Sequence, residues 1–359
     1  MRVHLLGILL LSSSLLFACG GSDPEPLVPP PPPPPPVAVV APPPAVTAPP
    51  PAPEPTPEEK KKAEALKKLG EDRAKWQEDS KVEMARWTPE LHAAAKALAS
   101  RAYPNLRAAV KAALAGPQRR PGNGDRDSQR HPLETLTFFG IRPNMTVLEV
   151  GPGEGWYTEI LAPTLAAKGK LIDTNNDPNG PEDSRGTFYG QRFKALLDRA
   201  PELYGSVQTV VVDGKAPRLD GVSNVDAVLL MREVHGMVAG GTLDAWLTEI
   251  RKALKPGGVL GIVEHRANAD ADPMVSSKKG YVPEKWLVAH IEAMGFKLAG
   301  KSEINANPKD TKDYAEGVWT LPPSLELGAK DREKYMAIGE SDRMTLKFVK
   351  VADKKERAK

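Results

Sequence analysis

The sequence predicts an α/β fold in which a mostly parallel sheet is flanked by helices and preceded by a helical segment and a Pro-rich tether. Three observations lead there. From Asp125 onward, short β-branched and apolar runs alternate with helical patterns, the order expected of parallel strands joined by helical crossovers. One run, Met145 to Val150, passes directly into Gly151-Pro152-Gly153-Glu154-Gly155, and a helical pattern starts near Trp156. The proline excess is local: residues 24–57 hold 19 of the 37 prolines, so it says nothing about the folded part.

The chain begins with Arg2 and His4 and an apolar run from Leu5 to Phe17. That run is too short to span a bilayer and has the length of a signal h-region. Leu16-Phe17-Ala18-Cys19 follows, then Gly20-Gly21-Ser22. A small residue before a lone cysteine resembles the bacterial lipobox, in which the thiol takes a diacylglycerol. An ordinary secretory signal is the alternative. Lipid at Cys19 would anchor the chain to the membrane. Gly20 after the cysteine resembles an outer-membrane address, so the expected location is the cell envelope, facing the periplasm. With a single cysteine, neither an internal disulfide nor a cysteine-based metal site is possible. The six histidines show no metal-ligand spacing in the sequence, and no metal is expected.

Residues 20–57 read as a disordered tether. The unbroken Pro29 to Pro36 run lacks backbone donors and favours extended polyproline II. At ~3.1 Å per residue the whole tether would reach roughly 100 Å. A proline-recognition ligand is the other possibility. Residues 58–124 read as a helical preface. Charges alternate, and Leu66, Leu69, Trp76 and Val82 recur near helical spacing. Thr88-Pro89 and Pro104-Asn105-Leu106 mark the starts of two more helices, and Gly116-Pro117 with Pro121-Gly122 ends the region. The preface carries no evident chemistry and is expected to pack on the next domain or shield its mouth. The formal charge of +3, with basic and acidic residues interspersed, gives no electrostatic case for a nucleic-acid partner.

Residues 125–351 hold seven expected strands, with a charged tail at 352–359. The strands are Met145 to Val150, Gly169 to Asn175, Val207 to Val212, Val225 to Leu230, Val259 to Val263, Phe296 to Lys301 and Met344 to Val351. Helices are expected at Pro132 to Phe139, Leu243 to Leu254 and Pro283 to Met294, with Lys255-Pro256-Gly257-Gly258 as a tight turn.

The glycine order separates cofactor classes. A dinucleotide fold wants G-x-G-x-x-G, whereas this loop reads G-x-G-x-G with Glu149 two positions ahead. Glycines let backbone approach a ligand without a Cβ clash, and an acidic group suits a cationic amino-acid ligand better than a pyrophosphate. The arrangement resembles motif I of class I S-adenosylmethionine-dependent methyltransferases. Leu254-Lys255-Pro256-Gly257-Gly258 before an apolar strand is a frequent signature of the same group. Arg130 to Pro163, Lys252 to Ala267, Ser302 to Pro323 and Gly339 to Lys350 resemble a family of exported bacterial predicted methyltransferases, over about Asp125 to Val351.

That resemblance implies a Rossmann-like seven-stranded sheet whose last strand runs antiparallel between the fifth and sixth. It implies S-adenosyl-L-methionine as cofactor, held by Glu149, Gly151, Gly153, Gly155, Asn175, Asp213, Gly214 and Met231. Asn175 stands where the fold usually has an acidic residue for the ribose hydroxyls. Relatives have an Asn-containing segment where this chain has Arg232-Glu233-Val234-His235-Gly236; His235 matches, and Glu233 and Gly236 do not.

Candidate catalytic residues follow the fourth and fifth strands, where ligands bind in such sheets. His235 could deprotonate a hydroxyl near neutral pH, or could simply cap a helix. Glu264 and His265 are site or loop residues. Trp156 and Tyr157 cover the cofactor or fill the core, and Asp127 and Arg130 could close over the mouth. Glu303 to Asn307 and Pro308 to Pro323 form a long connection, expected to act as a substrate lid. The expected activity is methyl transfer to an unknown acceptor in the cell envelope. Because the cofactor is made in the cytosol, the alternatives are a non-catalytic ligand-binding lipoprotein that retains the fold, or a structural envelope protein.

Overall fold

The computed structural model describes residues 29–34 and 55–352. Pro29 to Pro34 are exposed and take no regular secondary structure. The expected leader, Cys19, most of the tether and nearly all of the charged tail lie outside the described residues. The described residues from Pro55 onward form one compact unit, with the preface helices and the sheet in the same body. No helix among the described residues is long and apolar enough to cross a membrane.

Seven strands form one sheet: β1 (Thr146–Val150), β2 (Lys170–Asn175), β3 (Gln208–Val211), β4 (Val225–Met231), β5 (Leu254–His265), β6 (Phe296–Ser302) and β7 (Arg343–Lys350). Their spatial order is β3-β2-β1-β4-β5-β7-β6. β1 to β5 pair in parallel, and β7 runs antiparallel to both β5 and β6. This is the Rossmann-like methyltransferase topology. The chain reverses its direction of travel across the sheet between β1 and β4, which opens a crevice at the carboxyl ends of those strands.

The helices are α1 (Pro57–Arg86), α2 (Pro89–Ser100), α3 (Leu106–Ala115), α4 (Asp127–Arg130), α5 (Pro132–Phe139), α6 (Thr158–Leu165), α7 (Arg185–Arg199), α8 (Pro201–Tyr204), α9 (Val234–Ala239), α10 (Leu243–Ala253), α11 (Pro273–Ser276), α12 (Glu284–Ala293) and α13 (Arg332–Ile338). Their starts follow the local chemistry. Thr56 and Glu59 make a reciprocal capping box at α1, and Thr88 and Asn105 accept from the first-turn amides of α2 and α3.

Strand alternation sorts the core into two layers. Val147, Ala227, Leu229 and Met231 point to the face covered by α2, α3, α5 and α6. Leu148, Val150, Val228, Leu230 and Ile262 point to the other, covered by α9, α10 and α12. Both faces of the central parallel strands β1 and β4 are dry, which is why they read as continuous apolar runs, whereas the edge strand β3 alternates with exposed positions. The preface therefore completes one apolar layer: Val110 and Ala113 of α3 are fully buried in it.

One expectation is corrected. Lys255 to Gly258 is not a turn that precedes the fifth strand but a bulge inside β5. Leu254 already pairs with Val225, and Val259 pairs with Ala227, so the intervening residues loop out. Gly257 takes φ 70° there, a left-handed geometry that favours glycine.

Candidate functional site

Two clefts open at the carboxyl ends of the central strands and share the loop after β1. The cleft on the β2 side, about 540 Å³, is walled by Asn175, Val212, Gly214, Met237 and Trp246. The cleft on the β5 side, about 410 Å³, is walled by Glu149, Tyr157, Met231, His235 and His265. Gly151 to Glu154 and Glu233 belong to both walls.

The three loop glycines serve different ends. All have positive φ, at 65°, 59° and 80° for Gly151, Gly153 and Gly155. A Cβ on Gly151 would lie 2.5 Å from Cδ of Glu233, and one on Gly155 would lie 2.0 Å from Leu196. Only at Gly153 would it meet nothing within 4 Å. Gly153 is thus the point of the loop that a ligand can approach, whereas Gly155 packs α7 against the loop and lines neither cleft.

Glu149 is buried on β1, where Thr158 Oγ1 donates to it at 2.9 Å. Its registered neighbour on β2 is Asp173. Neither Asp173 oxygen meets an N–H or O–H donor among the described residues, which leaves a proton shared with Glu149 to satisfy the pair. Burial first, then the mutual repulsion of the carboxylates, holds Asp173 well above the ordinary range. Burial pushes Glu149 up to about 7.

Across the crevice, Glu264 ends buried in β5 with three donors on its carboxylate. These are His235 Nδ1 at 3.0 Å, the His235 backbone N–H at 3.1 Å and the His265 backbone N–H at 2.8 Å. A carboxylate only accepts, so Nδ1 of His235 carries the proton and Nε2 is the basic nitrogen. Burial opposes the charged imidazole, but Glu264 outweighs it and raises His235 above its ordinary value. His265 bonds Ser341 Oγ through Nδ1, and burial together with the charges of His235 and Arg232 pulls it well below the ordinary value.

The six histidines are scattered in sequence, yet the fold brings two of them together with a carboxylate. Ligand atoms of His235, Glu264 and His265 all lie within 4.8 Å of one another. The sequence spacing did not reveal this grouping, because it arises from pairing β4 with β5.

Asn175 ends β2 and lines the β2-side cleft, but its Nδ2 donates back to Gly190 O at 3.2 Å. Asp213 is exposed and outside both clefts; its carboxylate accepts from the Lys215 amide at 2.9 Å, and Val212 and Gly214 do the lining. The expected cofactor set therefore converges except for Gly155 and Asp213.

Several wall residues were given no site role from the sequence, or were named there only as departures or as possible covers. Glu233 stands over Gly151, and burial, with Glu264 and Glu149 nearby, raises its carboxyl to about 8. Arg232 and Glu340 also face the β5-side cleft. Arg130 lies there too, buried and bonded to Glu340 at 2.8 Å; Asp127 instead pairs with Arg119. Trp156 and Tyr157 are both core and wall. The connection before β7 contributes Val318, Trp319 and Pro322 to Ser324 to the same wall. It is pinned at its root, where Asn305 Nδ2 donates to Thr135 and Thr345, and Asp310 accepts from Tyr281.

No protein-family model matches the chain. The "Ribosomal RNA large subunit methyltransferase E" of Acidithiobacillus ferrooxidans is 28% identical over 130 residues, covering 32% of this chain and 59% of that protein. The protein of the same name from Verminephrobacter eiseniae is 27% identical over 192 residues, 52% of this chain and 74% of that one. The chain thus spans little more than half the length of the first of these relatives. Among solved structures, an S-adenosylmethionine-dependent methyltransferase from Aquifex aeolicus aligns at 18% identity with a TM-score of 0.42, over 63% of this chain and 93% of that one.

Proposed function

We propose that this protein is an S-adenosylmethionine-dependent methyltransferase. The observation that carries the reading is the open approach to Gly153. That glycine sits between two clefts at the topological switch point, with buried Glu149 behind it and an oriented histidine opposite. A dinucleotide would need a third glycine one residue later and a helix start free to meet pyrophosphate.

In this assignment the β2-side cleft holds the adenosine, with Asn175 at the ribose and Val212, Gly214 and Trp246 around the base. Glu149, Gly151 and Gly153 hold the amino-acid end. S-adenosylmethionine supplies a methyl group on a cationic sulfur, which an acceptor O, N or S attacks in line. The chain's own work is orientation and proton transfer. His235 Nε2 takes the acceptor's proton as the new bond forms, and Glu264 holds the imidazole in the tautomer that leaves this nitrogen free. His265, kept neutral, fixes Ser341 beside it.

The names of the curated relatives favour an RNA acceptor, whereas the near-neutral charge of this chain does not. An envelope location with lipid on Cys19 belongs to the same proposal, as does the connection before β7 acting as a cover for the β5-side cleft. A ligand-binding lipoprotein that has kept the fold is the second reading; Asn175 bonded back to Gly190 favours it.

Calorimetric titration with S-adenosylmethionine and S-adenosylhomocysteine tests the first reading. Binding that disappears in Gly153→Arg supports it. Absence of binding to well-folded protein would move the assignment to the second.

A further inference from the structure

The β5-side cleft carries more guanidinium groups than its carboxylates need. Arg120, Arg126, Arg130 and Arg232 all line it. Arg120 pairs with Glu154 at 2.8 Å, and Glu154 also meets Arg192. Arg130 pairs with Glu340 at 2.8 Å, and Arg343 joins the same carboxylate at 2.6 Å. Among the described residues, the side chains of Arg126 and Arg232 make no hydrogen bond or ion pair.

The remaining carboxyls in the wall do not cancel these two charges. Glu149 and Asp173 share one proton in the core of the sheet, so the pair carries at most one charge, and Glu233, held up to about 8, is largely neutral at pH 7. The other two wall carboxylates, Glu154 and Glu340, each already have two arginines.

Arg232 is also placed at a cost. It follows β4 with φ 65°, and its N–H donates to Val263 O at 2.7 Å. A left-handed conformation is unfavourable at a non-glycine residue and persists where the surroundings over-determine it. Here it holds a partly buried, unpaired guanidinium beside His235, at the end of the sheet where ligands bind.

We infer that the β5-side cleft takes an acceptor bearing a carboxylate or phosphate group, which Arg126 and Arg232 hold so that its nucleophilic atom faces His235. This rests on the methyl-transfer reading. An arginine fork matches either anion in bidentate fashion. The favoured acceptor is a small molecule. The unpaired arginines face one confined cleft, and a chain of net charge +3 offers little for tracking a polyphosphate backbone. The same arginines could instead serve the carboxylate of the cofactor, and the experiment separates the two.

The purified protein is titrated with inorganic phosphate, free and saturated with S-adenosylhomocysteine. Binding is followed by calorimetry and by intrinsic tryptophan fluorescence, to which Trp156 and Trp319 of the cleft wall contribute. The expected result is phosphate binding that survives saturation and weakens about tenfold or more in Arg232→Asn and in Arg126→Gln. Asn tolerates left-handed backbone, so the unfolding temperature of the first variant should stay close to the parent's. Phosphate binding abolished by S-adenosylhomocysteine would overturn the inference and assign the arginines to the cofactor. Unchanged binding in both variants would overturn it by placing the anion elsewhere. A short single-stranded RNA that displaces phosphate at far lower concentration would overturn the small-molecule acceptor. If S-adenosylhomocysteine does not bind at all, the methyl-transfer reading fails first, and the acceptor assignment falls with it; phosphate binding lost in the arginine variants would still mark an anion site.

Discussion

Glu264 holds His235 by two atoms at once, accepting from its Nδ1 at 3.0 Å and from its backbone N–H at 3.1 Å. The backbone bond fixes the carboxylate beside His235, its second oxygen then sets the imidazole's orientation, and the free nitrogen is aimed by the strand that carries Glu264. The relationship decides the charge of the ring. Burial alone would lower its pKa, and the carboxylate reverses that sign.

The first prediction follows from that reversal. In a histidine NMR titration, His235 should titrate above its ordinary 6.5. In Glu264→Gln the attraction is lost and burial stays, so the value should fall below 6.5. His265 should stay neutral down to well below that pH in the parent. A His235 value that does not move on substitution would show that Glu264 does not orient it. Unfolding temperatures of the variant must be recorded alongside, because Glu264 also accepts two backbone amides.

Glu233 gives the second prediction. Its carboxyl is held up to about 8 by burial and stands over Gly151, in the wall common to both clefts. A cationic sulfonium nearby favours the ionised form, and a neutral thioether does not. Binding of S-adenosylmethionine should therefore release a proton below pH 8, and its affinity should climb as pH rises from 6 to about 8. The affinity for S-adenosylhomocysteine should change less over the same range. Titrations in buffers of different ionisation enthalpy count the proton. Equal pH slopes for the two ligands, or no change in Glu233→Gln, would remove Glu233 from the sulfonium's surroundings.

The Glu149–Asp173 pair yields a stability prediction. Both carboxyls are raised in the folded chain, Glu149 to about 7 and Asp173 well above its ordinary value. The folded state thus binds more protons than the unfolded chain above the ordinary carboxylate range. The stability this pair contributes is fullest at low pH and is lost as pH rises through about 7. Glu149→Gln can donate an amide N–H to Asp173 and still accept from Thr158. Its melting temperature should fall less than the parent's between pH 5.5 and 8.5. Parallel curves would show that the two carboxyls do not share a proton.

The glycine loop separates structural from ligand roles. Gly155→Ala places a methyl 2.0 Å from buried Leu196 at φ 80°. Strain and overpacking together should cost about 2–4 kcal/mol, read by chemical denaturation. Gly153→Ala meets nothing within 4 Å and should cost only the ~1 kcal/mol of its left-handed backbone. Ligand binding should show the opposite order: largely kept in Gly155→Ala at low temperature, and impaired in Gly153→Ala. Equal stability losses would erase the distinction.

That distinction also marks how far the sequence could be read. β1, β4 and the second half of β5 were legible because burial on both faces makes them apolar runs, β3 and β6 because they alternate with exposed positions, and the loop after β1 because Gly spacing and a preceding carboxyl are local patterns. The bulge in β5 was hidden, since a Lys-Pro-Gly-Gly stretch reads as a turn until Leu254 is seen pairing with Val225. Asp213 was placed by analogy, and its side chain instead accepts from the Lys215 amide two residues on. Arg130 with Glu340, and His265 with Ser341, are separated by 210 and 76 residues; no local spacing encodes them. They exist because β7 inserts beside β5.

The last prediction concerns metal. His235, Glu264 and His265 lie close enough to suggest a two-histidine, one-carboxylate site. The details argue for a proton instead. Both Glu264 oxygens already accept from N–H donors, His235 uses the nitrogen nearest that carboxylate to make one of those bonds, and the unpaired guanidinium of Arg232 faces the same space. A divalent ion would have to displace three hydrogen bonds and sit against a positive charge. Protein treated with a chelator should thus bind S-adenosylhomocysteine as before, and added zinc or manganese should not raise the melting temperature. Stabilisation by zinc that is lost in His265→Ala would replace the proton-transfer role of His235 with a metal centre, and would require the acceptor to be activated by coordination.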